Sequence, residues 1–154
     1  SGHPVWTKLI TMLHQHARSK NRQVRAEAAK AFGHLSELPL VFLSSGSDCE
    51  AELHEVIEEL KVLVKDNSQL VRLAVADGLC SLATRLSVNY IPEGSWRRSV
   101  LRSMQPLLEK LLLDNAAVVS AAAAEAKALS SWSLEEQTPL DALTSWKSLV
   151  HLLE

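Results

Sequence analysis

Residues 60–82 read LKVLVKDNSQLVRLAVADGLCSL. Leu60, Leu63 and Val64 continue from Val56 at helical spacing, so one helix face is apolar. The polar break DNSQ (66–69) follows, and Asp and Asn suit such a break because their side chains bond nearby backbone amides and cap the next helix. An Ala- and Leu-rich run then leads to Leu82, a composition that favours helix. The stretch predicts a helical hairpin with a tight turn. Such a hairpin buries only part of its apolar surface, and stacked copies bury the rest.

Sliding the chain against itself by 47 positions finds those copies. Val24, Val71 and Val118 coincide, as do Ala29, Ala76 and Ala123, and Leu35, Leu82 and Leu129. Upstream, Ile10, Ile57 and Met104 align, then Leu13, Leu60 and Leu107, then Ala17, Val64 and Leu111. Arg25 matches Arg72, and Val119 breaks that series. The predicted first helices are 5–18, 52–65 and 99–113; the second helices are 22–38, 69–86 and 116–131. The polar breaks of the outer units are SKNRQ (19–23) and DNAA (114–117). Longer connections, PLVFLSSGSDCE (39–50) and SVNYIPEGS (87–95), join the units. The end of the chain, TPLDALTSWKSLVHLLE (138–154), reads as one more first helix over 139–153, with Pro139 near its start. Residues 1–4, opening Ser-Gly, read as a tail left by cloning, and the chain as a piece of a longer protein.

On a helical wheel Val24, Ala28, Ala29, Phe32 and Leu35 share one broad face, with Arg25 at its border. Small residues there let second helices approach closely. The arginine is expected along the seam between units, bonded to a carboxylate or to turn carbonyls. In unit two the expected partner of Arg72 is Asp66, six residues earlier across the turn.

These features resemble the HEAT-repeat family, whose pattern runs Leu-x-x-Leu-Leu, then Asp, then Val-Arg, then an Ala-rich helix ending in Leu. Residues 60–82 follow it closely, and the likeness extends over about 5–132. Asp66 and Arg72 match the family's Asp and Arg, and Pro106 matches a proline of the first helix. Unit one has Ser19 where Asp66 aligns, unit three has Leu113 and Val119, and Glu125 stands in the place of Ala31 and Gly78. The resemblance implies an all-α fold, an α-α superhelix (right-handed solenoid) of three hairpins over 5–38, 52–86 and 99–132 plus a partial fourth. Two helices per unit rather than three favour HEAT over armadillo repeats.

The chain carries a net charge of −2 with no long run of one sign, which gives no global bias towards nucleic acid or anionic membrane. No apolar stretch is long enough to span a bilayer. Cys49 and Cys80 are too few for a disulfide framework and too far apart for a zinc signature, so reduced thiols and an intracellular, cytoplasmic protein are expected. His14 and His16 point to different sides of a helix and read as exposed or capping residues rather than metal ligands. Glu55, Glu58 and Glu59 read as a solvated face supported by Lys61 and Lys65. SSGS (44–47) reads as a flexible loop. No phosphate loop, dinucleotide fingerprint, nucleophile elbow or zinc-protease motif occurs, so no enzyme activity, no cofactor and no metal are expected.

The expected role is a non-catalytic scaffold that binds other proteins, through a helix or extended peptide, or other parts of its parent chain. The resemblance implies that second helices line the concave surface. The wheel puts Ala26, Glu27, Lys30, Gly33, His34 and Glu37 there in unit one. Unit two contributes Leu73, Ala74, Asp77, Cys80, Ser81 and Thr84, and unit three Ser120, Ala121, Ala124, Lys127, Ala128 and Ser131. Candidate contacts are Lys30, His34, Leu73, Asp77 and Lys127, on a surface near neutral in charge. A second candidate is the loop 89–98, where Tyr90, Trp96, Arg97 and Arg98 are residue types enriched at binding hot spots. Arg25, Asp66 and Arg72 are assigned structural roles. A nucleic-acid-binding HEAT-like domain is one alternative, disfavoured because Lys and Arg do not concentrate on the second-helix surface. A tubulin-binding TOG-like module is another, for which only the turn RSKNR (18–22) is basic.

Overall fold

The computed structural model describes residues 4–37, 46–87 and 95–134. All regular structure among them is helical. The helices are α1 (Pro4–His16), α2 (Arg22–His34), α3 (Gly46–Leu63), α4 (Gln69–Leu86), α5 (Trp96–Leu112) and α6 (Ala117–Leu134), with a 3-10 turn, Leu35–Glu37, after α2. They form three hairpins, α1–α2, α3–α4 and α5–α6. The helix expected over 139–153 lies outside the described residues.

Each turn is built by short polar side chains. The Asn21 side chain accepts from the Gln23 amide at 2.8 Å and caps α2. Asp66 accepts from the Ser68 amide and Asp114 from the Ala116 amide, both at 2.9 Å. These bonds occupy amides that the first helical turn leaves without partners.

Like packs on like. Helix α2 lies against α4, α4 against α6, and α3 against α5. The middle second helix is therefore buried on two sides: Val71, Ala74, Val75, Ala76, Leu79, Leu82, Ala83 and Leu86 are all covered. Helix α6 is covered along one stripe, Val119, Ala123, Ala126, Ser130 and Ser133. The closest approach is between α2 and α4. A Cβ added to Gly33 would lie 2.3 Å from the Gly78 Cα, and one added to Gly78 would lie 2.9 Å from the Ala29 carbonyl oxygen.

Three helices are longer than their sequence pattern. Helix α3 starts at Gly46, not 52, so the Gly and Ser of the expected 44–47 loop form its first turn. The reason is apolar: Cys49 continues the buried stripe of Leu60, Val56 and Leu53 back by one more turn. Helix α5 starts at Trp96, capped by the Ser95 hydroxyl, so Trp96, Arg97 and Arg98 belong to a helix and not to a loop. Helix α6 runs on to Leu134 because Ser133 still faces the core.

The repeat register also changes inside unit three. Met104, Leu107 and Leu111 are buried like Ile57, Leu60 and Val64, so the interval of 47 holds through α5. Helix α5 then runs to Leu112, and the turn aspartate arrives one place late, at Asp114 instead of position 113. Val119 is buried, whereas Val118 and Leu129, expected to match Val71 and Leu82, are 52% and 37% exposed.

The glycine crossing gives a test. Alanine is the better helix former by about 1 kcal/mol. At Gly33 the new methyl would meet backbone, which no rotamer change relieves. Gly33→Ala is therefore expected to lower unfolding free energy by about 1–3 kcal/mol in urea denaturation. A stabilised variant would show that the helices do not cross so closely.

Candidate functional site

The joint between α2 and α4 is fastened at three levels. At the turn end, Arg25 donates from Nε to Asp66 at 2.8 Å and from Nη2 to its second oxygen at 3.1 Å. Arg25 also donates from Nη1 to its own turn, to the Ser19 carbonyl at 3.0 Å. In the middle, Gly33 meets Gly78. At the far end, Arg85 donates to the Glu37 carbonyl at 3.4 Å.

The joint between α4 and α6 repeats the first clasp. Arg72 donates to the two oxygens of Asp114 at 2.7 and 3.4 Å, and to the Asp66 carbonyl at 3.0 Å. This corrects the pairing expected within unit two. Arg72 takes only the backbone oxygen of Asp66, while the carboxylate turns back to Arg25. Each arginine holds its own turn by a carbonyl and the next unit's turn by a carboxylate. Unit three is thus not without its aspartate, which is Asp114.

Both carboxylates are held below their ordinary range. For Asp66, burial pushes the pKa up, but the Arg25 hydrogen bond, the Ser68 amide and the charges of Arg25 and Arg72 together outweigh it. For Asp114 the Arg72 hydrogen bond dominates, against a smaller opposing effect of burial.

A third polar contact crosses between first helices. His14 bonds Glu59, and Arg18 donates to the same carboxylate at 3.3 Å. Glu59 is therefore 14% exposed and faces α1 in place of the expected solvent and lysines, while His14 is a contact residue and not a free one.

Above the glycine crossing lies an open groove of about 430 Å³. Helix α2 lines it with Lys30 and His34, and Glu37 follows from the 3-10 turn. Helix α4 contributes Asp77, Gly78, Cys80, Ser81, Thr84 and Arg85. Two cations face two carboxylates. Lys30 is 3.8 Å from Glu27, and His34 lies 3.1 Å from Glu37. The Asp77 carboxylate has no hydrogen bond or ion pair among the described residues. The Ser81 and Thr84 hydroxyls donate to carbonyls of their own helix at 3.2 and 2.8 Å, and the Thr84 hydroxyl also bonds the Cys80 thiol. Burial, then the charge of Glu125, pushes the Cys80 thiol up from its ordinary range. Among the described residues no three His, Cys, Asp or Glu are grouped to hold a metal ion.

The structure therefore brings Lys30, His34 and Asp77 together and separates the other candidates. Leu73 is half-buried against the core. Lys127 is on α6, bonded to Gln105 at 2.6 Å and near Glu109 at 3.6 Å. Trp96 packs against the core with the Arg97 guanidinium 5.5 Å from its ring centre. Arg98 is 4% exposed and donates to the Leu134 carbonyl at 2.7 Å, so it ties α5 to α6 and presents no binding surface. Ala26, Gly33 and Ala74, expected on the open surface, are buried between second helices. Tyr90 lies outside the described residues. Sequence reasoning missed Arg85, although it stands eight residues after Asp77, about 80° round α4 and on the same broad side.

No family model, curated protein or solved structure matches the chain.

The depressed carboxylates set a pH prediction. A group with a lowered folded pKa adds stability that is full above its unfolded value, about 4 for Asp. That stability is lost as pH falls through the folded value. The chain is expected to lose urea stability below about pH 4, and Asp66→Asn with Asp114→Asn to flatten that loss. At pH 7, Asp114→Asn alone should cost about 1–3 kcal/mol. An unchanged acid limb in the double variant would remove the ion pairs from the account.

Proposed function

We propose that the chain is a non-catalytic protein–protein interaction scaffold, an α-solenoid of the HEAT-repeat kind that takes a helix or extended peptide of another protein along its second helices. The register of 47, the packing of like helices on like and the Arg–Asp clasps from unit to unit support the solenoid reading. The single observation that carries the functional reading is the α2–α4 groove, with its free Asp77 between Lys30 and Arg85.

Mixed charge at a groove rim favours orientation of a polar segment over non-specific attraction. The Ser81 hydroxyl oxygen keeps lone pairs that can accept from a backbone amide of such a segment. The balance of two cations and two carboxylates is a poor match for a phosphate backbone, which needs an excess of positive charge.

The test compares the wild-type chain with Asp77→Lys and Arg85→Glu variants in affinity capture from cell lysate, read by quantitative mass spectrometry. At least one captured protein should fall about tenfold or more with both variants while thermal melting is unchanged. Capture indifferent to both substitutions, or turnover of a small molecule by the chain alone, would overturn the reading.

A further inference from the structure

We propose that a second surface, the cleft where the turn of unit two meets the turn of unit three, docks an acidic and apolar segment of a partner protein. The cleft has a volume of about 440 Å³ and lies away from the α2–α4 groove. Lys65 and Lys110 flank it, Leu113 forms one wall, and the Arg72–Asp114 ion pair stands at its base.

Leu113 is 87% exposed, the highest value for a large apolar side chain among the described residues. Other open apolar side chains stand beside the same turns. Val62 is in the last turn of α3, Leu70 in the first turn of α4 and Val118 in the first turn of α6. Isolated exposed apolar residues need no explanation, whereas these recur at the turns of units two and three, with Leu113 itself lining the cleft.

The charge of that edge follows from the clasps. Its turn carboxylates, Asp66 and Asp114, are already bonded to Arg25 and Arg72. Glu59, near the end of α3, is held by His14 and Arg18. Lys65 and Lys110 form no ion pair among the described residues. The cleft therefore has an exposed leucine on one wall, a satisfied ion pair at its base and two lysines at its rim. Its complement is a segment with Leu- or Phe-type side chains flanked by Asp or Glu. A nucleic acid would satisfy the lysines and leave Leu113 in water, so a protein segment is the better match.

The probe is a fluorescein-labelled peptide with leucines and glutamates at helical spacing, titrated with the chain and read by anisotropy. Binding that weakens with salt is expected. Lys65→Glu with Lys110→Glu should weaken it about tenfold or more, and Leu113→Asp by a similar factor. A peptide with Gln for Glu should lose affinity, and Asp77→Lys in the groove should not change it. These positions are exposed, so thermal melts should stay unchanged. No binding, binding indifferent to the three cleft residues, or binding to phosphatidylserine vesicles in place of the peptide would overturn the proposal. Success or failure at the cleft leaves the groove variants to decide the groove.

Discussion

Two second helices lie this close only where neither presents a side chain at the crossing. Gly33 and Gly78 meet that condition, and the rest of the α2–α4 joint depends on it. With the backbones in contact, Ala26, Ala29 and Ala74 fill the remaining space with single methyl groups. A larger residue at either glycine would push the helices apart along their length, because packed interiors transmit strain. The groove above the crossing owes its floor to the same absence of side chains. At the crossing of α4 and α6 the shifted register brings Ala126, buried, to the place of Gly78, and the exposed Glu125 beside it carries a charge that reaches Cys80. The helix packing and the shape of the groove are thus set by the same pair of residues.

The arginine clasps do a different job. Each ion pair is partly exposed, so its share of stability is smaller than that of the buried Leu, Val and Ala surface. Their value is geometric. A guanidinium fork bonds a carboxylate through two nitrogens and still has a donor for a carbonyl. Arg25 and Arg72 use both capacities, one on their own turn and one on the next. A lysine would supply the charge without the fork and would not fix two turns at once. The clasps therefore set register where close helix packing sets distance.

Much of this was legible in the sequence, and the exceptions have physical causes. Apolar spacing located all six described helices, because the buried faces of α3, α4 and α5 are continuous. The early starts of α3 and α5 were hidden, since Gly46, Ser47 and Ser95 carry loop-type composition while the burial that extends each helix comes from its neighbours. Arg72 was assigned to Asp66 by nearness in sequence. The actual partner, 42 residues away, follows only from stacking. Arg98 looked like a binding residue because arginine is common at interfaces, and nothing local tells a buried arginine from an exposed one. Lys30, His34 and Asp77 were found because helical phase alone places them on one side, but that they line one groove depends on the crossing of two helices.

The clasps also decide what the surface offers. They run across both described joints and, among the described residues, have no further partner on either side. Ser19 stands where an earlier arginine would need a carboxylate, and Val119 and Ser120 stand where a later aspartate would need an arginine. Within the three hairpins every turn carboxylate is consumed, so the turns face outward with lysine and leucine. Along the α2–α4 groove Lys30 and His34 pair only locally, with Glu27 and Glu37, and Asp77 on α4 is bonded to no arginine of a neighbouring unit. One structural device thereby separates two chemistries: a positive, apolar edge where the clasps are, and a balanced polar groove where they are not. The two surfaces therefore differ in charge and in polarity for one structural reason, the spending of the turn carboxylates on the arginines.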